Sequence, residues 1–426
     1  MLKYTETYNL FKNMIANGSL AQGEKMPSIR RASQLYRISR TTIQNAYYRL
    51  ADEGYIYAKP QSGYFVSGIS PEKQQHATTK TDKPEIKFDL TGTSADITGF
   101  DFSLWQRYIK SALRQKERLL SYSEPQGEAD LRETLSEYVR ERRNVIASPN
   151  QMVVGAGVQM LLEILCVLLS DRKSVSFPDS SFVQGSAVFE AHGFELGTRN
   201  KDADIIYVSP SHMSKKGDVM PISRRLELCE YSASNNAVVI EDDYENDFIY
   251  SSTPTPSLFA LGKGNVIYMG SFSALMLPCI RISFMVLNSE LACRYEKIKD
   301  RFAQTSSKTE QIALCAYLRD GNMKSRAKKI RRLYTSKTKR FLSLLKKYTP
   351  EIDAQIGENG LQVIINTNFT VSQKMFEQAG ITVNLQCSKN NGNLFEIIVS
   401  PSAIEAENLE TAAKALSKVL EKAKRN

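Results

Sequence analysis

The chain has 426 residues, a net charge of +10 and a hydrophobic fraction of 42%. This length predicts roughly two or three domains, and the composition is that of a globular protein rather than of a disordered or membrane-embedded chain. No apolar run approaches the ~18 residues that a membrane span needs. The six cysteines include no CxxC pair, which argues against a zinc site. We therefore expect a cytoplasmic protein with reduced thiols.

The positive charge is concentrated at the N-terminus. Residues 1–66 contain nine Lys and Arg and four Asp and Glu, so they carry +5 of the total charge of +10. A local basic excess of this kind favours a polyanionic partner such as nucleic acid.

Three helices followed by two short strands are predicted within this basic stretch. Ser28 and Ser39 are good N-caps for the second and third helices, and Gly54 ends the third. YIYAKPQSGYFV then predicts a hairpin around a Pro-Gln-Ser-Gly turn. The residues expected to face inward are, helix by helix, Tyr4, Tyr8, Phe11 and Ile15; Ile29, Ala32 and Leu35; and Ile43, Ala46, Tyr47 and Leu50.

This order of elements is that of a winged helix-turn-helix, whose third helix enters the DNA major groove N-terminus first. Arg40, Thr41 and Gln44 are then on the outer face of that helix, where Arg40 suits guanine or phosphate and Gln44 suits adenine. Backbone N–H groups at the helix start suit a phosphate. Lys59 and the Ser62-Gly63 turn form the wing.

The segment from Met26 to Val66 resembles the DNA-binding domain of the GntR regulator family. The resemblance rests on four elements: Pro27-Ser28-Ile29-Arg30, Ser39-Arg40-Thr41-Thr42, Glu53-Gly54-Tyr55 and Gly63-Tyr64-Phe65-Val66. It implies that Arg30, Arg40 and Gly63 contact DNA. Together with the face described above, the candidate contacts to double-stranded operator DNA are Arg30, Ser39, Arg40, Thr41, Thr42, Gln44, Lys59, Ser62 and Gly63.

The rest of the chain predicts a flexible linker and one large α/β domain. Residues 68–84 are polar with almost no apolar content, so we place the domains at 1–67 and 85–426. Short β-branched strands alternate with amphipathic helices such as 129–143, which predicts a mostly parallel sheet with helices on both faces. The expected strands are 152–154, 174–177, 204–209, 237–242, 266–270 and 280–287, with a small C-terminal α/β subdomain that has strands near 361–366 and 394–399 and a final helix from Ala403.

Polar residues follow several of these strands, where ligands of open α/β sheets bind. The segment Gly155-Ala156-Gly157-Val158-Gln159 opens a helix and suits a phosphate. Glu241 to Tyr244 ends another strand, and the loop GSFSALMLPCIRISF spans Gly270 to Phe284. We expect one ligand site at this edge of the sheet.

These elements resemble the aminotransferase-like domain of the MocR subfamily of GntR regulators, which has the pyridoxal 5'-phosphate (PLP)-dependent aminotransferase fold type I. The resemblance implies that Tyr122, in Tyr122-x-x-Pro125-Gln126-Gly127, reaches the phosphate of the neighbouring subunit of a homodimer. Asp242 would pair with the pyridine nitrogen, which makes the ring an electron sink, and Tyr244 would bond the ring hydroxyl. The candidate PLP-binding residues are Tyr122, Gly157, Val158, Gln159, Phe182, His212, Asp242, Tyr244, Ser271, Ser273 and Arg281.

The sequence also departs from this family pattern. Ala274 stands where the family has the lysine that forms a Schiff base with PLP, seven residues before Arg281. The family's His-Gln-Phe-Pro-Thr-Gly becomes His-Met-Ser-Lys-Lys-Gly at 212–217. Such domains usually bind a substrate carboxylate through an arginine in the C-terminal segment, but this sequence has no arginine between Arg340 and Arg425. The alanine is either an engineered replacement or a natural loss, and Lys215 or Lys216 is the alternative amine.

The sequence thus predicts a transcription regulator that is not an enzyme. Its aminotransferase-like domain would sense PLP, a related vitamer or a PLP–amine adduct without a covalent link. Two alternatives remain: a PLP-dependent aminotransferase with an appended DNA-binding head, and a dimerisation scaffold with a vestigial pocket.

Overall fold

The computed structural model describes residues 3–68, 86–92, 96, 99–179, 182–213, 216, 218–244, 256–262, 265–273, 275–387 and 395–425. The chain divides into two compact units, Met1–Lys83 and Pro84–Asn426. Ala274, Lys215 and nearly all of the expected linker lie outside the described residues. Within the described ranges, no helix has the length and apolar character needed to span a bilayer.

The N-terminal unit has the predicted three helices and hairpin. Its elements are α1 Lys3–Ala16, α2 Ile29–Tyr36, α3 Arg40–Asp52, β1 Ile56–Lys59 and β2 Gly63–Val66. Both predicted N-caps form: the Ser28 hydroxyl accepts from the Arg31 N–H, and the Ser39 hydroxyl accepts from the Thr42 N–H. These bonds satisfy backbone donors that the first turn of a helix leaves free.

The core of this unit agrees with the predicted stripes except at Tyr4 and Leu35, and Tyr4 is half-buried and lies outside the core cluster. Leu35 was expected to face inward, but its side chain is 65% exposed. Tyr36 takes the inward position instead, and its ring meets Phe11 edge to face at 5.3 Å between centroids. Ala32 and Tyr36 are four residues apart on the same face of α2, whereas Leu35 is turned away from their midline. The buried residues are Tyr8, Phe11, Ile15, Leu20, Met26, Ala32, Ile43, Ala46, Tyr47, Leu50, Ile56 and Val66.

The second unit is built around a seven-stranded sheet in the order β4-β10-β9-β8-β7-β5-β6. Only β10 runs antiparallel to its neighbours. The sheet strands are β4 Met152–Gly155, β5 Ser174–Phe177, β6 Glu195–Thr198, β7 Ile205–Val208, β8 Val238–Asp242, β9 Asn265–Ser271 and β10 Ser283–Val286. The six predicted strands are all present. In this sheet sequence reasoning missed β6, an edge strand whose mostly exposed residues show no apolar run; outside it, the short strands at 88–89, 353–356, 381–382 and 384–387 were also missed.

Helices cover both faces of this sheet, as predicted. One face packs against the helices at 158–168 and 183–191, and the other packs against the helix at 222–235. The helices of the unit are α4 Phe102–Leu113, α5 Lys116–Leu119, α6 Ala129–Arg143, α7 Val158–Leu168, α8 Val183–Ala191, α9 Ile222–Asn235, α10 Ser289–Glu296, α11 Lys308–Arg319, α12 Asn322–Tyr348, α13 Gln373–Gln378 and α14 Leu409–Arg425.

A smaller C-terminal layer completes the unit. Its antiparallel sheet has the order β11-β12-β15-β14, and β13 pairs with β3. The strands are β3 Phe88–Asp89, β11 Asp353–Ile356, β12 Val363–Thr367, β13 Ile381–Thr382, β14 Asn384–Cys387 and β15 Phe395–Val399. The final helix begins at Leu409 rather than at Ala403, because the preceding residues form tight turns: Ile404 donates to the Pro401 carbonyl and Asn408 to the Glu405 carbonyl.

Candidate DNA interface and cofactor site

The predicted DNA-reading residues gather at the start of α3. Arg40 and Thr41 are exposed on its first turn, and Gln44 follows one turn later. The Ser39 hydroxyl lies 3.1 Å from the Thr42 nitrogen and 2.6 Å from the Thr42 hydroxyl. Ser39 and Thr42 therefore fix the helix start, and Arg40 and Thr41 stand outside the core with their side chains available to a partner.

Tyr48 joins this face although sequence reasoning did not identify it. The Gln44 side-chain amide donates to the Tyr48 hydroxyl at 2.7 Å, and the Tyr48 side chain is 50% exposed. The two residues are four apart on one helix and so lie one above the other. That spacing is the signal from which Tyr48 could have been found.

The wing contains a second basic residue that the sequence did not indicate. The hairpin pairs Lys59 with Gly63, and the Ser62 N–H closes the turn onto the Lys59 carbonyl at 3.0 Å. Lys25 forms a bridge to Phe65 on the other side of this hairpin. The Lys59 and Lys25 ammonium groups lie 4.7 and 5.9 Å from the centre of the Phe65 ring. The wing therefore presents two cations, and Arg30 is exposed on α2.

In the large unit, strand register brings the predicted phosphate-binding residues together. Ser283 of β10 pairs with Gly155 of β4 on one side and with Ser271 of β9 on the other. The Ser283 hydroxyl donates to the Ser271 oxygen at 3.0 Å, and the Ser273 N–H reaches the same oxygen at 3.3 Å. The turn at the end of β4 thus lies beside a cluster of hydroxyls. Ser283 is a member that sequence reasoning missed.

Arg281 reaches the same place. Its guanidinium lies against Gly157, so a Cβ at Gly157 would collide with it. Gly157 has a φ of +89° and is the N-cap of α7, whose first residues are Val158 and Gln159. Glycine fits here for both reasons. A guanidinium, serine hydroxyls and the N–H groups of a helix start are the kinds of donor that suit a bound anion.

Asp242, at the end of β8, is hydrogen-bonded to Tyr207, whose ring in turn is stacked by Phe182. The buried Asp242 carboxylate accepts from the Tyr207 hydroxyl at 2.5 Å. Burial and this carboxylate raise the pKa of Tyr207 well above its usual value, so the phenol remains a donor. Phe182 stacks on the Tyr207 ring at 5.0 Å between centroids. Sequence reasoning missed Tyr207, which had no motif to mark it.

His212 and Tyr244 are also brought together, whereas Tyr122 is not part of this cluster of contacts. The His212 and Tyr244 rings have centroids 5.2 Å apart. The Tyr122 side chain is fully exposed, and its backbone carbonyl accepts from the Lys308 ammonium at 3.1 Å.

A buried charge network lies directly after Asp242. The Asp243 carboxylate pairs with Arg143 at 2.5 Å and accepts from the Tyr268 hydroxyl at 2.8 Å and the Ser211 hydroxyl at 2.7 Å. The Arg143 and Asp243 side chains are 4% and 0% exposed. Because Arg143 ends α6 and Asp243 follows β8, the pair ties a helix to the strand that carries Asp242.

Glu241 gives the large unit a pH-dependent stability. Burial and the neighbouring Asp243 raise the pKa of Glu241 to about 7. The folded state therefore holds this proton more tightly than the unfolded chain, whose glutamate has a pKa near 4.5. The contribution of Glu241 to folding is full below about pH 4.5 and falls as pH rises towards 7. We expect Glu241→Gln to flatten this slope in chemical denaturation at a series of pH values. An unchanged slope would contradict the assignment, and Glu290→Gln, on the surface of α10, is the control.

Comparison with known proteins agrees with both units. Residues 3–66 match the gntR family of bacterial regulatory proteins, and residues 99–416 match aminotransferase class I and II.

Three relatives span most of the chain. The HTH-type transcriptional regulator YdeL of Bacillus subtilis is 31% identical over 87% of this chain and 85% of its own length. The probable rhizopine catabolism regulatory protein MocR of Rhizobium meliloti is 25% identical over 85% of this chain and 81% of its own. The HTH-type pyridoxine biosynthesis transcriptional regulator PdxR of Corynebacterium glutamicum is 25% identical over 78% of this chain and 76% of its own.

Solved aminotransferase structures share the fold of the large unit. An archaeal alanine:glyoxylate aminotransferase superposes with a TM-score of 0.68 at 19% identity, covering 79% of this chain and 91% of that chain. The α-aminoadipate aminotransferase LysN from Thermus thermophilus, complexed with N-(5'-phosphopyridoxyl)-L-leucine, gives a TM-score of 0.67 at 21% identity and covers 79% and 93%. At this identity the likeness establishes the fold.

Proposed function

The chain belongs to the MocR subfamily of GntR-type transcription regulators, and from this premise we propose that its large domain is a non-covalent sensor of PLP or of a closely related vitamer or adduct. The winged helix-turn-helix binds operator DNA, and occupancy of the large domain changes that binding. A ligand has this effect only if its affinity differs between the DNA-binding and non-binding states.

The observation that carries this proposal is the contact of Arg281 with Gly157 beside the serine cluster. The arrangement fits the phosphate of PLP, because it combines a planar cation, hydroxyl donors and a helix start in one place. Asp242 lies at the end of the neighbouring strand as a buried acceptor and suits a protonated pyridine nitrogen. When bound, the cofactor supplies an electron sink. The residues of this chain would hold its phosphate and ring.

Ala274 is the reason for proposing a non-covalent ligand and no transamination. An alanine methyl group can neither attach to an aldehyde nor carry a proton to and from a substrate carbon. Lys216, one of the two alternative amines, is hydrogen-bonded to Glu396 of β15 at 2.7 Å. This bond holds the Lys216 ammonium at the C-terminal layer. It therefore supports the proposal that, with alanine at position 274, no Schiff base forms. Formation of a keto acid from an amino acid by the purified protein would overturn this part of the proposal.

We further propose that the large domains form a homodimer through the surface around Tyr122. Leu120 and Tyr122 are almost fully exposed at 89% and 101%, so a second subunit would bury apolar surface by covering them. In such a dimer each Tyr122 would reach the anion site of the other subunit. Leu120→Asp should lower the dimer fraction in sedimentation experiments if this assignment holds.

The experiment that tests the regulatory proposal measures DNA affinity with and without PLP. The DNA probe is a duplex that the full-length protein selects from a random-sequence library. A reproducible change in the dissociation constant at saturating PLP supports the proposal. Equal affinity in both conditions, with PLP binding demonstrated in parallel, would contradict it.

Arg40 is expected to carry sequence selectivity. Arg40→Ala should weaken binding to the selected duplex by about tenfold to a hundredfold, since a bidentate arginine–guanine contact contributes ~1–3 kcal/mol. Arg49→Ala is the matched control on the same helix, because Arg49 is engaged with Glu53 at 3.0 Å near the other end of α3. Gel-shift titrations measure both. Unchanged binding by the Arg40 variant would mean that α3 is not the reading helix.

A further inference from the structure

A cavity lies between α9 and the large sheet, mainly on the face opposite to α7 and α8. It has a volume of about 680 Å³ and is lined by the ends of β5 and β7, by the loop after β6 and by α9. Small-molecule sites in proteins commonly enclose ~300–1,000 Å³. The volume therefore suits a ligand of modest size.

The floor of this cavity is apolar surface that the described part of the large unit leaves partly uncovered. On one face of β7, Ile205 and Tyr207 are buried at 0% and 3% exposure, although Tyr207 also borders the cavity near the end of the strand. On the other face, Ile206 and Val208 line the cavity and are only half-buried. β7 is an interior strand between β5 and β8, where both faces are normally covered. The face of β7 that is only half-buried is therefore the face that lines the cavity.

The rim carries a cationic edge. Arg199 and Lys201 follow β6, are exposed and line one side of the cavity. The Arg199 Nε is fixed by a hydrogen bond to the Pro178 carbonyl at 3.1 Å, and the Lys201 carbonyl accepts from Tyr231 of α9. These two hydrogen bonds fix the loop at the edge of the cavity. Neither of them uses the Lys201 ammonium.

The other charged residues that line the cavity do not neutralise the positive charge of Arg199 and Lys201. Arg224 and Glu227 of α9 form an ion pair with each other, and Asp218 lines the cavity from another segment. The lining thus has three basic and two acidic residues, a net charge of +1. An apolar floor with a basic edge matches a ligand that has an apolar body and one negative charge.

We propose that this cavity binds a small monocarboxylate with an apolar body, at a site separate from the proposed PLP site. The carboxylate would lie at Arg199 and Lys201, and the apolar body would cover Ile206, Val208 and Leu228. Arg281 and Asp242 do not line the cavity, whereas Tyr207, which donates to Asp242, does, so the two sites adjoin at this side chain.

The test uses octanoate as the probe and the full-length protein without PLP. We expect saturable binding of octanoate in calorimetry, and binding of octylamine, which has the same chain and the opposite charge, that is at least about tenfold weaker. Absence of saturable octanoate binding, or equal binding of octylamine, would overturn the proposal. When the titration is repeated at saturating PLP, we expect the same dissociation constant for octanoate.

Two variants and one control locate the site. Leu228→Trp fills the cavity from α9 and should weaken octanoate binding at least about tenfold, whereas Leu226→Trp, on the exposed side of the same helix at 40% exposure, should leave it unchanged. Lys201→Glu changes only an exposed side chain and should also weaken octanoate binding. It keeps the test valid if Leu228→Trp does not fold. Full affinity in Lys201→Glu would contradict the role of the basic edge.

Discussion

Replacing Arg281 with alanine should weaken PLP binding by about a hundredfold or more. The guanidinium lies on Gly157 at the start of α7, where it would form charge-assisted hydrogen bonds to a phosphate. Each such bond contributes ~1.5–3 kcal/mol, and every 1.4 kcal/mol corresponds to about tenfold in affinity. Calorimetric titration with PLP measures the loss, and Arg281→Lys should recover part of it, because lysine keeps the charge without the planar fork.

The matched control for this variant is Arg294→Ala. Arg294 pairs with Glu290 on the surface of α10 at 2.8 Å, and its removal tests whether loss of an arginine anywhere on the domain lowers affinity. We expect wild-type PLP affinity from it. An Arg281→Ala protein that is folded and binds PLP as tightly as the wild type would show that the phosphate is not held at Gly157.

Replacing Arg143 with methionine should destabilise the large domain by ~3–5 kcal/mol, the cost of breaking a buried ion pair by removing one partner. Arg143 and Asp243 are almost completely buried. The substitution leaves the Asp243 carboxylate, and the adjacent buried Glu241, without the arginine charge. Methionine fills much of the same volume, so the effect reports charge rather than packing.

Trp105 provides the measurement. It is the single tryptophan of the chain and lies buried in the large domain, so its fluorescence in a denaturant titration follows that domain and not the winged helix. Glu290→Gln, which breaks a surface pair, should change stability by at most ~1 kcal/mol. A similarly small effect of Arg143→Met would mean that the Asp243 network does not hold α6 to β8.

The elements that sequence alone could predict are those set by local pattern. The residues next to Ser28 and Ser39 are enough to predict both N-caps of the winged helix. The same holds for buried β-branched strands such as β8. The candidate phosphate-binding residues Gly157 and Arg281 could also be chosen from sequence, because each belongs to a recognisable segment, and the structure places them in contact. Pairing of Gly155 and Ser271 with Ser283 then brings these segments together.

What sequence could not predict depends on contacts between distant segments. Lys25 joins the wing because its loop pairs with β2, and Tyr207 meets Asp242 because two neighbouring parallel strands end together. The partners Arg143 and Asp243 are 100 residues apart. Leu35 was misplaced because two apolar residues, Leu35 and Tyr36, compete for one inward position on a short helix. The half-covered floor of the cavity beside α9 has no sequence pattern at all.

The central claim is that the aminotransferase-like domain of this regulator binds PLP without a covalent bond. Titration of the purified full-length protein with PLP, by calorimetry and absorbance, followed by borohydride treatment and mass spectrometry, tests it most directly. The account predicts saturable binding, the spectrum of a free aldehyde and no added mass after reduction. Absence of binding at millimolar PLP, or an adduct fixed to a lysine by borohydride, would contradict it.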